Sequence, residues 1–125
     1  MSNKIINLTQ HKPTKSQIEA GVISDDPSHV IKALLSFHWL PAISEVNERA
    51  ELLAEEAVAM AVKYDTTKVM IGGAPYLMEP LVWHLKSHNL QPVFAFSERD
   101  SIESFDESGN VVKRTVFKHI GFVEA

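Results

Sequence analysis

Hydrophobic positions along the chain fall into short β-favouring runs separated by stretches with helical spacing. The first run is Lys4-Ile5-Ile6-Asn7-Leu8, and Thr9-Gln10-His11-Lys12-Pro13 ends it, because Pro13 has no N–H to give to a ladder. This predicts a first strand and its exit loop. Ser16 is placed to cap a short helical turn through Ile18 and Ala20, which Gly21 terminates. Ser24-Asp25-Asp26-Pro27 has turn chemistry, with the proline positioned to open a helix through Val30, Ile31, Leu34 and Leu35 that stops before Pro41. The strongest periodicity begins at Ser44. Glu45 and Glu48 occupy its first turn, and Val46, Ala50, Leu53, Ala54, Ala57, Val58 and Ala61 recur at i, i+3 and i+4. Such a face must lie against something.

Lys68-Val69-Met70-Ile71 reads as a buried strand, and Gly72-Gly73-Ala74-Pro75 turns it into a helix carrying Leu77, Met78, Leu81, Val82 and Leu85. Pro92-Val93-Phe94-Ala95-Phe96 predicts a third strand ending in Ser97-Glu98-Arg99-Asp100. Glu107-Ser108-Gly109-Asn110 is a turn between Ile102–Phe105 and Val111–Val123, which predicts a C-terminal β-hairpin. Strands alternating with helices imply parallel pairing through right-handed crossovers. The expected fold is α/β, a three-layer Rossmann-like, mainly parallel sheet with that hairpin appended. Strand order is not legible in the pattern, and 125 residues without a repeat or linker make a single domain, 1–125.

Composition narrows the function classes. Hydrophobic residues make up 45% and charged residues 22%, so the chain can bury a core. The longest apolar run, Ala57 to Val62, falls far short of the roughly 20 residues that span a bilayer, so no membrane partner is expected. No apolar leader precedes the first strand, which predicts a cytoplasmic protein. The absence of cysteine excludes disulfides, a thiolate nucleophile and Cys-based metal centres. A net charge of −4 argues against holding duplex nucleic acid, which is bound by neutralising phosphates. A small anionic ligand in a local site is compatible with it.

Ligands of open parallel sheets bind beyond the carboxyl ends of the strands. Three predicted strand exits should meet there: Thr9-Gln10-His11, Gly72-Gly73-Ala74-Pro75 and Ser97-Glu98-Arg99-Asp100. The paired glycines let a ligand approach the backbone where helix-start N–H groups favour negative charge. A tight turn with no ligand explains the same glycines, and neither G-x-G-x-x-G nor the Walker pattern is present, so no NAD or ATP cofactor is expected. His11 can hold or move a proton and Arg99 can clamp phosphate. A loop hydrogen bond for His11 and pairing of Arg99 with Glu98 or Asp100 are the plain alternatives. Lys118 and His119 read as an edge strand kept soluble by charge. His84 and His88 stand four apart, but without cysteine or an intervening Glu at the second position no metal site is expected.

The run Pro92 to Glu103 followed by Gly109 to Phe122, the segment Leu8 to Gln17, and the turn Gly72-Gly73-Ala74-Pro75-Tyr76-Leu77 together resemble small stand-alone CRISPR-associated proteins with a CARF-like fold. The resemblance covers the ends and the central turn, about half the chain. It implies a homodimer that binds a cyclic oligoadenylate across its two-fold axis and, in some members, cuts it without metal by ribose 2′-hydroxyl attack. It also implies residue roles. Gly72, Gly73 and Ala74 would meet the phosphate, Arg99 and His11 would be catalytic, and Thr9, Gln10 and Ser97 would bind ribose or base. The chain carries Thr-Gln-His where that family has Ser-His or Arg-His, and a Gly-Gly-Ala-Pro turn of its own. The alternatives are a non-catalytic metabolite-sensing or partner-docking module, and an oligomerisation module built on the C-terminal hairpin.

Overall fold

In the computed structural model, which describes residues 3–125 apart from the side chains of Asp100 and Phe117, four strands form one sheet. Met1 and Ser2, part of the leader argument, lie outside the described residues. The strands are β1 (Ile5–Leu8), β2 (Lys68–Ile71), β3 (Gln91–Phe105) and β4 (Val111–Glu124), in spatial order β1-β2-β3-β4. β1, β2 and β3 run parallel, and β4 returns antiparallel along β3. The chain is an α/β protein with a mainly parallel sheet and a C-terminal β-hairpin.

That hairpin is longer than the sequence predicts. Ser97-Glu98-Arg99-Asp100 is not an exit loop, because β3 continues through it and pairs with β4 as far as Phe105↔Val111. Four polar residues have little strand preference of their own, but an antiparallel partner satisfies their backbone groups and overrides it. A register shift at Phe96/Ser97 marks where the hairpin leaves the sheet. β2 pairs only with Gln91 to Phe94, so the rest of β3 and its partner form a two-stranded ribbon.

Helix starts follow cap chemistry. α1 (Lys15–Glu19) is capped by Thr14, not Ser16: Thr14 Oγ1 accepts from the Gln17 N–H while the Gln17 side chain accepts from the Thr14 N–H, a reciprocal pair that Ser16 could not form. α2 (His29–Leu35) is capped by Ser28, which accepts from the Ile31 N–H, so Pro27 lies just outside the helix it was expected to open. α3 (Ile43–Tyr64) and α4 (Pro75–Ser87) follow the periodicity.

Alternation along the strands divides the core. Ile6, Leu8, Val69 and Ile71 face α2, α3 and α4 and meet Leu35, Leu53, Leu77 and Leu81 in the main cluster. Burying each such side chain contributes roughly 1.5–3 kcal/mol. The other face carries a smaller cluster of Ile5, Val22, Met70 and Val93, with Phe122 of β4 packed against it. On that side α1 touches β4, and Ala20 shares a hollow with Ile5 and Phe122.

Val22 decides the topology. It forms a parallel bridge with Ile5 on the side of β1 away from β2, through Ile5 N–H to Gly21 C=O at 2.9 Å and Ile23 N–H to Ile5 C=O at 3.0 Å. The chain therefore leaves β1 over one face to reach Val22, then crosses by α2 and α3 over the other face to reach β2. No helix of the described residues is long and apolar enough to cross a membrane.

Candidate functional site

Because the chain leaves β1 toward α1 and leaves β2 toward α4, the two exits separate to opposite faces of the sheet and open a cleft between them. Its volume is about 640 Å³, and Thr9, Gln10, His11, Lys12, Gly72 and Gly73 line its mouth. Thr14 and Gln17 of α1, Met78 of α4 and Phe94 and Ala95 of β3 complete it.

The β1 exit is held by Asn7, which is buried. Its Nδ2 donates to the His11 carbonyl at 2.8 Å, and its Oδ1 accepts from the Thr9 N–H at 3.1 Å and the Thr9 hydroxyl at 2.7 Å. A side chain thus does what a backbone turn would do, and fixes three successive residues at the cleft. Gln10 is tied across to α2, its Nε2 donating to Ser36 Oγ at 2.6 Å, and Ser36 Oγ donates to the Lys32 carbonyl at 2.8 Å.

The β2 exit is held by shape. Gly73 has φ +151°, and a Cβ there would sit 3.4 Å from Met78 Cε and 3.7 Å from Leu35 Cδ2. Ala74 is the N-cap of α4 and offers no side-chain cap, so the helix start is left to its backbone N–H groups.

Of the residues expected at the site, Thr9, Gln10, His11, Gly72 and Gly73 come together in the cleft, and Ala74 follows directly. Ser97 and Arg99 do not line it. They lie on the ribbon beyond Ala95, with Ser97 opposite His119 and Arg99 opposite Phe117 along the backbone. Of the two pairing partners the sequence offers Arg99, Glu98 and Asp100, the Asp100 side chain lies outside the described residues. Thr9 and Gln10 spend their side chains on the scaffold hydrogen bonds above rather than presenting them whole to a ligand. Lys12, Thr14 and Gln17 were not among the expected site residues. The polar composition of the stretch Lys12 to Gln17 was the available signal, and only the crossover to Val22 turns it toward the cleft.

The electrostatics are one-sided. Lys12 and His11 line the cleft and no Asp or Glu does, in a chain whose net charge is −4. Among the described residues no group of three or more His, Cys, Asp or Glu could hold a metal ion. His84 packs edge-on against Trp83 at 4.9 Å between ring centroids, and His88 is the C-cap of α4.

Fold and cleft define an α/β protein with a carboxylate-free hollow where its parallel strands part. A family model matches residues 3–123, and the chain belongs to that family, the Uncharacterized protein MJ1673 family. No curated protein matches the chain, and no solved structure does.

Proposed function

We propose that the chain binds a small phosphate-bearing ligand of the nucleotide class in the cleft between the β1 and β2 exits. The observation that carries this reading is the divergence of those exits to opposite faces, created by the Val22 bridge. In doubly wound, Rossmann-like sheets such a switch point is where ligands sit, beyond the carboxyl ends of the strands. The lining supports an anion: Lys12 supplies charge, Gly72 and Gly73 allow close approach to the backbone, and no carboxylate opposes it. His11 is positioned to hold or pass a proton at the rim. The cyclic oligoadenylate implied by the CARF-like resemblance belongs to this ligand class. A homodimer would bring a second copy of the ribbon, with Ser97 and Arg99, into the assembly.

The test is calorimetric titration in EDTA with cyclic tetra-adenylate, cyclic hexa-adenylate, AMP and ATP, with products followed by chromatography. Binding of at least one is expected, and Lys12→Ala should weaken it about tenfold or more without changing the melting temperature. No binding by any of the four, or binding indifferent to Lys12→Ala, overturns the reading. Linear products bearing a cyclic phosphate would add ring cleavage to it.

A further inference from the structure

A larger hollow, about 870 Å³, lies on the outer surface between the N-terminal half of α3 and α4. Ile43, Asn47, Glu48 and Glu51 form one wall, and Tyr76, Glu79, Pro80 and Trp83 the other. It shares no residue with the cleft. Ile43 is 72% exposed and Trp83 66% exposed, while Leu40, three residues before Ile43, is 94% exposed. Phe37 packs edge-on against Tyr76 at 5.3 Å, beside this groove. Large apolar side chains left this open and this close together mark an interaction surface rather than scattered exposure.

The groove also has a definite electrical sense. Glu48, Glu51 and Glu79 line it together with His84 and without any Lys or Arg, and among the described residues none of the three glutamates forms an ion pair. Glu45, by contrast, is matched by Arg49 at 3.0 Å. Acids in a first helical turn complement the helix dipole, but Glu51 lies two turns into α3 and gains nothing from it. Pro80 adds an acceptor: inside α4 it has no N–H to give to the Tyr76 carbonyl one turn earlier. The faces of Trp83 and Tyr76 are attractive to cations as well.

We propose that this groove docks an amphipathic helix of another protein, with leucine-like residues against Ile43, Tyr76 and Trp83 and lysine or arginine against Glu48, Glu51 and Glu79. Two parallel helices with an open furrow offer the seat that a third helix fills by its i, i+3, i+4, i+7 positions. A second copy of this chain does not supply such an occupant. Its clustered cations, Lys113, Arg114 and Lys118, lie on β4 and not on a helix.

The experiment uses the full chain with Trp39→Phe, which leaves Trp83 as the single tryptophan of the original two. The probes are a synthetic Leu/Lys amphipathic helix of about 18 residues, long enough to hold its shape when bound, and its Leu/Glu counterpart. The Lys peptide should shift Trp83 emission to the blue, with affinity falling as salt rises, and the Glu peptide should not. Glu51→Lys with Glu79→Lys should weaken binding about tenfold or more. Glu19→Lys with Glu107→Lys, the same charge change outside the groove, should leave it nearly intact. Absence of any shift with the Lys peptide, or equal losses in the two double variants, overturns the proposal.

Discussion

Gly72 and Gly73 are neighbours under different constraints. Gly73 is held at φ +151°, where an L side chain is strained whatever space it has, although an added methyl would meet Met78 Cε and Leu35 Cδ2 at no closer than 3.4 Å. At Gly72 a Cβ would meet only Thr9 Cγ2, at an ordinary 3.6 Å. Gly73→Ala should therefore cost about 1–2 kcal/mol in urea denaturation. Gly72→Ala should stay within about 0.5 kcal/mol while placing a methyl in the cleft and weakening nucleotide binding in calorimetry. Equal destabilisation by the two would refute the distinction. Asn7 is the other residue on which the cleft turns. Asn7→Ala removes three hydrogen bonds, leaving the Thr9 N–H without its side-chain acceptor and the His11 carbonyl with the Thr9 hydroxyl at 3.2 Å, so a loss of about 1–3 kcal/mol is expected, with binding weakened alongside. A polar residue inside Lys4-Ile5-Ile6-Asn7-Leu8 was visible in the sequence. Its use as a brace was not, since that depends on the loop folding back to meet it.

At the scale of the element, sequence and structure agree where the pattern is long. α3 and α4 follow from apolar spacing alone, because a stripe repeated over several turns has one way to be buried. Short pieces are governed by single bonds, and so α1 took its cap from the Thr14–Gln17 exchange and α2 from Ser28. The far half of β3 was illegible for a different reason: its strand character comes from β4, whose partner for Ser97, His119, lies 22 residues on and beyond the reach of any local signal. Pro80 is the one element-level expense that packing does not explain. Pro80→Ala should restore the hydrogen bond to the Tyr76 carbonyl and raise stability by about 1–3 kcal/mol, read as a higher melting temperature. An unchanged or lower melting temperature would show that α4 is already adapted around the ring.

For the whole molecule, the ribbon is the least self-sufficient part. Two strands alone are marginal in water, and this pair exposes Ile102, Phe105, Val111 and Val112. If the proposed homodimer forms through it, replacing Ser97 to His119 by a two-residue Asn-Gly turn should convert the dimer to a monomer in sedimentation while the parallel sheet keeps its far-UV spectrum. A dimer that survives the replacement must use another surface. The site as a whole was only half legible, because the cleft depends on the route the chain takes out of β1, and that route is marked by the bridge at Val22, a single residue with no pattern around it. Strand order carries a consequence for synthesis. Each strand pairs with the one made just before it, so nothing must later be threaded between neighbours already joined. A chain emerging from the ribosome can lay down its sheet outward from β1, one edge at a time. The cleft walls are complete once Gln91 to Phe94 of β3 have paired onto β2 and brought Ala95 into place, and the ribbon is the last piece delivered.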